Sequence, residues 1–249
     1  MKVAIVQTEP IKGNIEKNVE NHIKWIIEAI QQKADMIVFP ELSLTGYEPD
    51  LAEELATNQD DSRLDELQIL SNRNGITIGV GLPTRKDELL FVSMIFFQPN
   101  QKRITYSKQY LYHTETSIFT AGTNPLVLTF DTEVISPAIC YETSNKAHCE
   151  YANQHKATMY LASVLSSIGG IDVELKKLSG IARNYNMVTC MANYVGKSGG
   201  YECAGKSSVW NEKGEIMEQL GDKTEGMIVF DTLTRKTLSL TSPHVTNEG

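Results

Sequence analysis

A faint internal echo bears on the fold. Lys33-Ala-Asp-Met-Ile-Val-Phe-Pro40 is echoed by Lys156-Ala-Thr-Met-Tyr-Leu-Ala-Ser163. Each segment follows a helical stretch and leads through a short apolar strand into a polar loop. A strand without polar alternation is buried on both faces, as parallel strands covered by helices are. Two related β-α halves packed sheet against sheet would explain the echo. They give an α/β fold of four layers, an αββα sandwich with the helices outside. The match is short enough to arise by chance, so the rest of the chain must carry the same pattern.

Residues 2–8 alternate and are β-rich, which predicts a strand. Residues 14–33 predict an amphipathic helix with Val19, Ile23, Ile26, Ile27 and Ile30 on one face. A strand at 36–39 stops at Pro40. A second helix spans 64–71 and ends near Asn74-Gly75. Strands follow at 76–82, 90–97 and 103–108, then a hairpin of 126–130 with 134–139. A weaker helix comes after Cys140, and a strand at 159–162 precedes a helix marked by Ile171, Leu175, Leu178, Ala182 and Tyr185. Further strands are expected at 187–192, 207–210, 215–220 and 227–230. No Pro-, Gly- or Ser-rich linker divides residues 1–249, which read as one domain. Residues 241–249 lack a core pattern and are expected to form a mobile tail.

Composition narrows the function classes. The 249 residues are 41 % hydrophobic and 22 % charged, enough for a substantial core. The net charge of -8 and the lack of a Lys/Arg cluster argue against a nucleic-acid partner. No apolar stretch approaches membrane-spanning length. The opening apolar run is too short for a signal peptide. Cys140, Cys149, Cys190 and Cys203 form no Cys-x-x-Cys pair. They read as reduced thiols of a cytoplasmic protein, with no disulfide framework and no zinc site.

Three polar residues stand at strand ends where chemistry can be built. Cys140 closes the apolar run Val134-Ile-Ser-Pro-Ala-Ile-Cys140. Glu41 lies in Phe39-Pro-Glu-Leu-Ser-Leu-Thr-Gly-Tyr47, and Lys108 ends Tyr106-Ser-Lys108. A thiol, a carboxylate and an amine make a nucleophile, a base and an electrostatic stabiliser. Each alone has a plainer reading. A cysteine after an apolar run is more often a small core residue. Glu41 could cap a turn whose structural residues are Ser43 and Thr45, and Lys108 could be a solvated surface lysine. A helix starting just after Cys140 would favour the thiolate, and the Tyr141 N–H would face an oxyanion. Glu142 either contacts substrate or supports that helix start. Among the histidines, His113 is the one nearest the motifs and a minor candidate for the base of a Cys–His pair.

Taken together, these segments resemble the nitrilase (carbon–nitrogen hydrolase) superfamily over nearly the whole chain. The resemblance rests on Val3-Ala-Ile-Val-Gln7, the Phe-Pro-Glu block, Tyr-Ser-Lys108, Glu115…Phe119…Gly122, Ile139-Cys-Tyr-Glu142 and Ala182-Arg-Asn…Met191-Ala-Asn193. It implies an αββα sandwich that dimerises, a catalytic Glu41–Lys108–Cys140 triad, and Glu115 as an assisting residue. It implies no cofactor and no metal. Tyr47, Ser163, Val164 and Ser166 are expected to line the pocket with Glu142. Gln109-Tyr-Leu111 and Glu142-Thr-Ser-Asn-Lys-Ala-His148 depart from the family pattern, which bears on the substrate and not on the class of reaction. The expected activity is hydrolysis of a small amide or N-carbamoyl compound through a thioester. An acyltransferase with the same triad, or a non-catalytic binding protein on this fold, are the alternatives. Arg183 and Lys197 are candidates to meet a negatively charged substrate.

Overall fold

A computed structural model describes residues 1–241. The first half runs β1 (Lys2–Gln7), α1 (Ile15–Gln31), β2 (Met36–Val38), the short α2 (Ala52–Leu55), α3 (Asp65–Asn74), β3 (Thr77–Lys86), β4 (Leu89–Phe97) and β5 (Ile104–Ser107). The second half runs β6 (Leu128–Thr129), β7 (Val134–Ile139), α4 (Lys146–Gln154), β8 (Met159–Ser163), α5 (Ile171–Tyr185) and β9 (Val188–Ala192). It continues with β10 (Lys197–Ser198), β11 (Tyr201–Glu202), β12 (Ser208–Trp210), β13 (Ile216–Gln219), β14 (Gly226–Asp231) and β15 (Lys236–Thr241).

One sheet has the order β15-β14-β1-β2-β3-β4-β5 and the other β13-β12-β9-β8-β7-β6. In each, three central strands are parallel: β1, β2 and β3 in one, β7, β8 and β9 in the other. Alternating side chains then divide into three cores. Val3, Ile5, Met36 and Val38 of the first sheet meet Ile135, Ile139, Met159, Leu161 and Cys190 of the second between the sheets. Ala4, Val6, Ile37 and Ile78 face Trp25, Ile26 and Leu67 of α1 and α3. Ala138, Tyr160, Ala162 and Met191 face Cys149, Ala152, Leu178 and Ile181 of α4 and α5. This is the αββα sandwich.

The internal echo has a structural meaning. Lys33 and Lys156 both take left-handed backbone, φ 59° and φ 57°, just past α1 and α4. The next residue closes each helix in the same way, Ala34 N–H to Ala29 O at 2.9 Å and Ala157 N–H to Ala152 O at 3.0 Å. The following N–H then joins the neighbouring strand, Asp35 to Lys2 O and Thr158 to Val134 O, both at 2.8 Å. The two segments do the same job in the two sheets.

Three details differ from the sequence expectation. Ile27 is 45 % exposed, because it lies one residue, about 100°, beyond Ile26 on the helix. Trp25, His22, Ile15 and Ala29 complete the buried face instead. Residues 236–241 form the edge strand β15, paired from Gly226↔Thr241 to Asp231↔Lys236, so Thr241 ends a strand. Residues 242–249 of the expected tail lie outside the described residues. After Cys140 the chain makes a five-residue 3-10 turn, Cys140–Ser144, and α4 begins only at Lys146. Among the described residues no helix is long and apolar enough to cross a membrane.

Candidate active site

Three loops at strand ends converge on one cavity. The first follows β2. Its backbone is buried and pinned from every side: Ser163 Oγ donates to Phe39 O at 2.7 Å, Tyr194 OH to Glu41 O at 2.5 Å, and Gly81 N–H to Ser43 Oγ at 3.1 Å. Leu42 takes φ 53° so that the chain can reverse there. At Gly81 a Cβ would stand 2.3 Å from Leu42 N, so β3 backs directly onto this turn. Ser43 and Thr45 are the structural residues of the loop. Thr45 Oγ1 donates to Gly46 O at 2.8 Å.

The second loop begins where β5 ends. Gly122 N–H donates to Lys108 O at 2.8 Å, and a Cβ at Gly122 would stand 2.2 Å from Ser107 O. The chain from Glu115 to Gly122 therefore packs hard against the strand that delivers Lys108. The third loop starts at the C-terminal end of β7. There Cys140 has φ 45°, a left-handed conformation unfavourable for a residue with a Cβ, and such strain concentrates at functional sites.

Glu41, Lys108 and Glu115 are at most 1 % exposed. Lys108 Nζ donates to Glu41 Oε1 at 2.6 Å and to Glu115 Oε1 at 2.8 Å. Tyr47 OH donates to Glu115 Oε1 at 2.9 Å, and the Tyr112 N–H to its Oε2 at 2.7 Å. An ammonium has three protons, so Lys108 keeps one donor free. Glu41 Oε2 is buried with no hydrogen-bond partner among the described residues. The Cys140 thiol adjoins this carboxylate, and its Sγ lies 3.7 Å from Leu165 O.

Electrostatics fix the resting protonation. Burial pushes the Glu41 carboxyl up to about 6, against the pull of Lys108. Burial alone would lower Lys108, but Glu41, Cys140 and Glu115 outweigh it and hold the ammonium above its usual range. Burial, and then the Glu41 charge, raises the Cys140 thiol well above its ordinary value. The thiolate expected from a helix start is thus not the resting form. The short 3-10 turn supplies no full helix terminus, and the dry carboxylate beside the sulfur disfavours a second negative charge.

The cavity holds about 410 Å³, a size suited to a small ligand. Glu41, Glu115 and Cys140 form its floor, and Tyr47, Tyr112, Tyr141 and Tyr201 supply aromatic surface. Of the residues expected to line it, Tyr47 and Ser166 do, whereas Ser163 and Val164 are fully buried behind it; Tyr141, expected there for its N–H, lines it as well. Glu142 also stays out of it, for the reason that all its bonds run into the protein. His113 and Arg183 are not among the lining residues, and Lys197 lines a separate cavity with Glu9 and Glu202. Sequence reasoning missed the charged pair on α5. Glu174 and Lys177 line the cavity, bonded to each other at 2.7 Å and to Thr143 and Ser144. Asn193, in the Met191-Ala-Asn193 stretch, is fully buried. It fixes the Ser166 loop by accepting from Ser166 N–H at 2.8 Å and donating to Gly205 O at 2.7 Å. Among the described residues no three His, Cys, Asp or Glu side chains converge so as to hold a metal ion.

The profile of the carbon-nitrogen hydrolase family matches residues 2–240. The chain belongs to the carbon–nitrogen hydrolase family. Among curated relatives, a hydrolase in the agr operon of Staphylococcus aureus is 23 % identical over 92 % of this chain and 90 % of its own length. A glutamine-dependent NAD(+) synthetase of Acinetobacter baylyi is 46 % identical over 18 % of this chain, and an aliphatic nitrilase of Rhodococcus rhodochrous 26 % over 53 %. The matched parts span 8 % and 38 % of those two proteins. In fold, this carbon–nitrogen hydrolase is similar to the amidase from Nesterenkonia sp. AN1. One structure of that amidase, with acrylamide added to its active-site cysteine, superposes with TM-score 0.85 at 22 % identity, covering 93 % of this chain and 92 % of that one. Another, in complex with butyramide, gives 0.84 at 21 % identity, covering 98 % and 91 %.

Proposed function

We propose that this protein hydrolyses a small amide at Cys140 through a thioester. The observation that carries the reading is Glu41 Oε2, a buried oxygen with no other hydrogen-bond partner among the described residues, next to a Cys140 thiol that burial keeps protonated. An unpaired buried acceptor is costly to keep, and it is what a proton-transfer base needs. Glu41 takes the thiol proton as the sulfur attacks the amide carbonyl carbon. The oxyanion is met by the free donor of Lys108 and by the Tyr141 N–H. One such donor is typically worth about 3–4 kcal/mol. The carbon–nitrogen bond then breaks, and the leaving nitrogen takes the proton from Glu41. Water attacks the thioester with Glu41 again as base, the acid leaves, and the sulfur recovers its proton. Glu115, locked by Lys108, Tyr47 and Tyr112, orients the ammonium and the substrate amide.

An acyl group short enough for the cavity would pack on Leu165 and Val173, with its far end near Glu174 and Lys177. That favours a small amide with a polar tail over a long aliphatic one. Family membership supports a single catalytic unit acting as a cytoplasmic homodimer, which light scattering at micromolar concentration would check.

The test is ammonia release from a panel of small amides, N-carbamoyl compounds and nitriles, with Cys140→Ala alongside. Release from amides that vanishes in a folded Cys140→Ala protein is the expected result. Undiminished release in that variant would overturn the proposal. Product formed only with an added amine acceptor would make the protein an acyltransferase.

A further inference from the structure

Glu142 is a buried carboxylate for which the reaction above has no use. It is fully enclosed, yet among the described residues it has no cation in direct contact: His148 Nε2 lies 3.6 Å away, and burial holds that ring neutral, its pKa lowered to about 4. Its four bonds join two loops. Oε1 accepts from the Gln109 N–H at 2.6 Å, the residue after Lys108. Oε2 accepts from the Ile139 N–H at 2.7 Å, the residue before Cys140. Tyr106 OH lies within 2.9 Å of both oxygens and 3.0 Å from His148 Nε2. His148 Nδ1 is in turn 2.8 Å from Tyr160 OH, which anchors the cluster to β8.

We infer that Glu142 is the positioning residue of this site: an ionised clasp that sets the distance between the Lys108 ammonium and the Cys140 sulfur. The inference rests on the proposed roles of those two groups. A carboxylate accepts from both backbone N–H groups at full strength, whereas an amide turns one of its two termini into a donor and a protonated acid makes one of its oxygens a weaker acceptor. The groups facing it are Tyr106 and Lys108 from the β5 side, His148 from α4 and Tyr160 from β8, while Tyr110 and Tyr151 adjoin Tyr106. Burial raises Glu142 to about 7, opposed by the Ile139 and Gln109 N–H groups and the Tyr106 hydroxyl. The clasp therefore loosens as pH falls through neutrality.

Glu142→Gln tests this, with kcat and KM measured on the best amide of the panel and the rate of Cys140 alkylation by iodoacetamide followed by mass spectrometry. The expected result is a kcat lower by about 100-fold, KM within about threefold, and slower alkylation, because a displacement on the order of 1 Å can cost that much. A folded variant with wild-type kcat and alkylation overturns the inference. If Glu142→Gln does not fold, Tyr106→Phe decides. Loss of that donor raises the Glu142 pKa, so the acid limb of the alkylation profile must move to higher pH, and a limb that stays in place overturns the inference. If wild type turns over no amide, the proposed function fails, and alkylation alone still judges the clasp.

Discussion

Lys108 stands between two buried carboxylates, and removing it has a consequence that can be calculated. In Lys108→Met the side chain keeps its bulk but leaves Glu41 and Glu115 in a dry site with no cation. Two like charges at that separation do not both persist, so one carboxyl, Glu41, takes up a proton on folding. In wild type Glu41 ionises at about 6. In the unfolded chain it does so at its ordinary 4.5. A folded-state pKa raised above the unfolded one gives stability that is present at low pH and lost as pH rises. In wild type that loss stops once pH passes about 6. In the variant it continues, at about 1.4 kcal/mol per pH unit. The stability gap between the two proteins should thus widen by about 3 kcal/mol between pH 6 and pH 8. That lies at the lower edge of the roughly 3–5 kcal/mol lost when a buried pair loses one partner. For a chain of this size it corresponds to about 6–12 °C in Tm. Urea melts of both proteins from pH 5.5 to 8 measure it, and the double variant Lys108→Met/Glu41→Gln should close most of the widening. Parallel curves, with the same gap at every pH, would refute the claim that Lys108 holds Glu41 ionised.

His22 gives the opposite slope. It is stacked on Phe39, and burial, opposed by the Asn18 backbone, lowers it to about 3 from 6.5. The unfolded chain binds the extra proton, so stability falls as pH drops below 6.5, by about 2 kcal/mol at pH 5. In His22→Leu the acid-side loss between pH 7.5 and 5 in urea melts should shrink by that amount, leaving the share that buried His148 contributes. Gly81→Ala drives a methyl into the Leu42 backbone and should displace Glu41, lowering kcat while costing about 1–3 kcal/mol in a thermal melt. Tyr47→Phe removes one donor from Glu115 and should lower stability by about 1.5–3 kcal/mol, since the bond is to a charged acceptor. A change below about 0.5 kcal/mol would mean that water replaces the hydroxyl.

The sheets were legible because their central strands are short, apolar and flanked by helix periodicity. Glu41 and Cys140 each follow an apolar run closely, but Lys108 ends the mixed segment Arg103-Ile-Thr-Tyr-Ser-Lys108, and it was the family resemblance that singled the three out together. Strand ends expose side chains at the top of a parallel sheet, where sites form. What local pattern could not give is how distant loops meet. Glu142 reads from sequence as a substrate contact or a helix-start acid, yet its partners lie at Gln109, Ile139 and Tyr106, contacts that appear only once the two sheets stack. Glu174 and Lys177 reach the cavity because of where α5 begins, after a loop tied down by Asn193. The two-residue strands β10 and β11 are too short for periodicity to register, and β15 is an exposed edge whose alternation carries few large apolar residues. The left-handed Cys140 has no signature in residue type, since nothing but the packing of the finished fold demands it.

The division of labour between the two sheets has a further consequence. On the proposed mechanism the base and the ammonium are carried by the first sheet and the sulfur by the second, so neither layer owns a reactive centre. A chain emerging during synthesis holds an ordinary cysteine, with none of the neighbours that ready it for attack. Reactivity arises at the docking step and is withdrawn whenever the layers part. Damage to the interface between the sheets, however far from the cavity, should therefore lower the proposed activity.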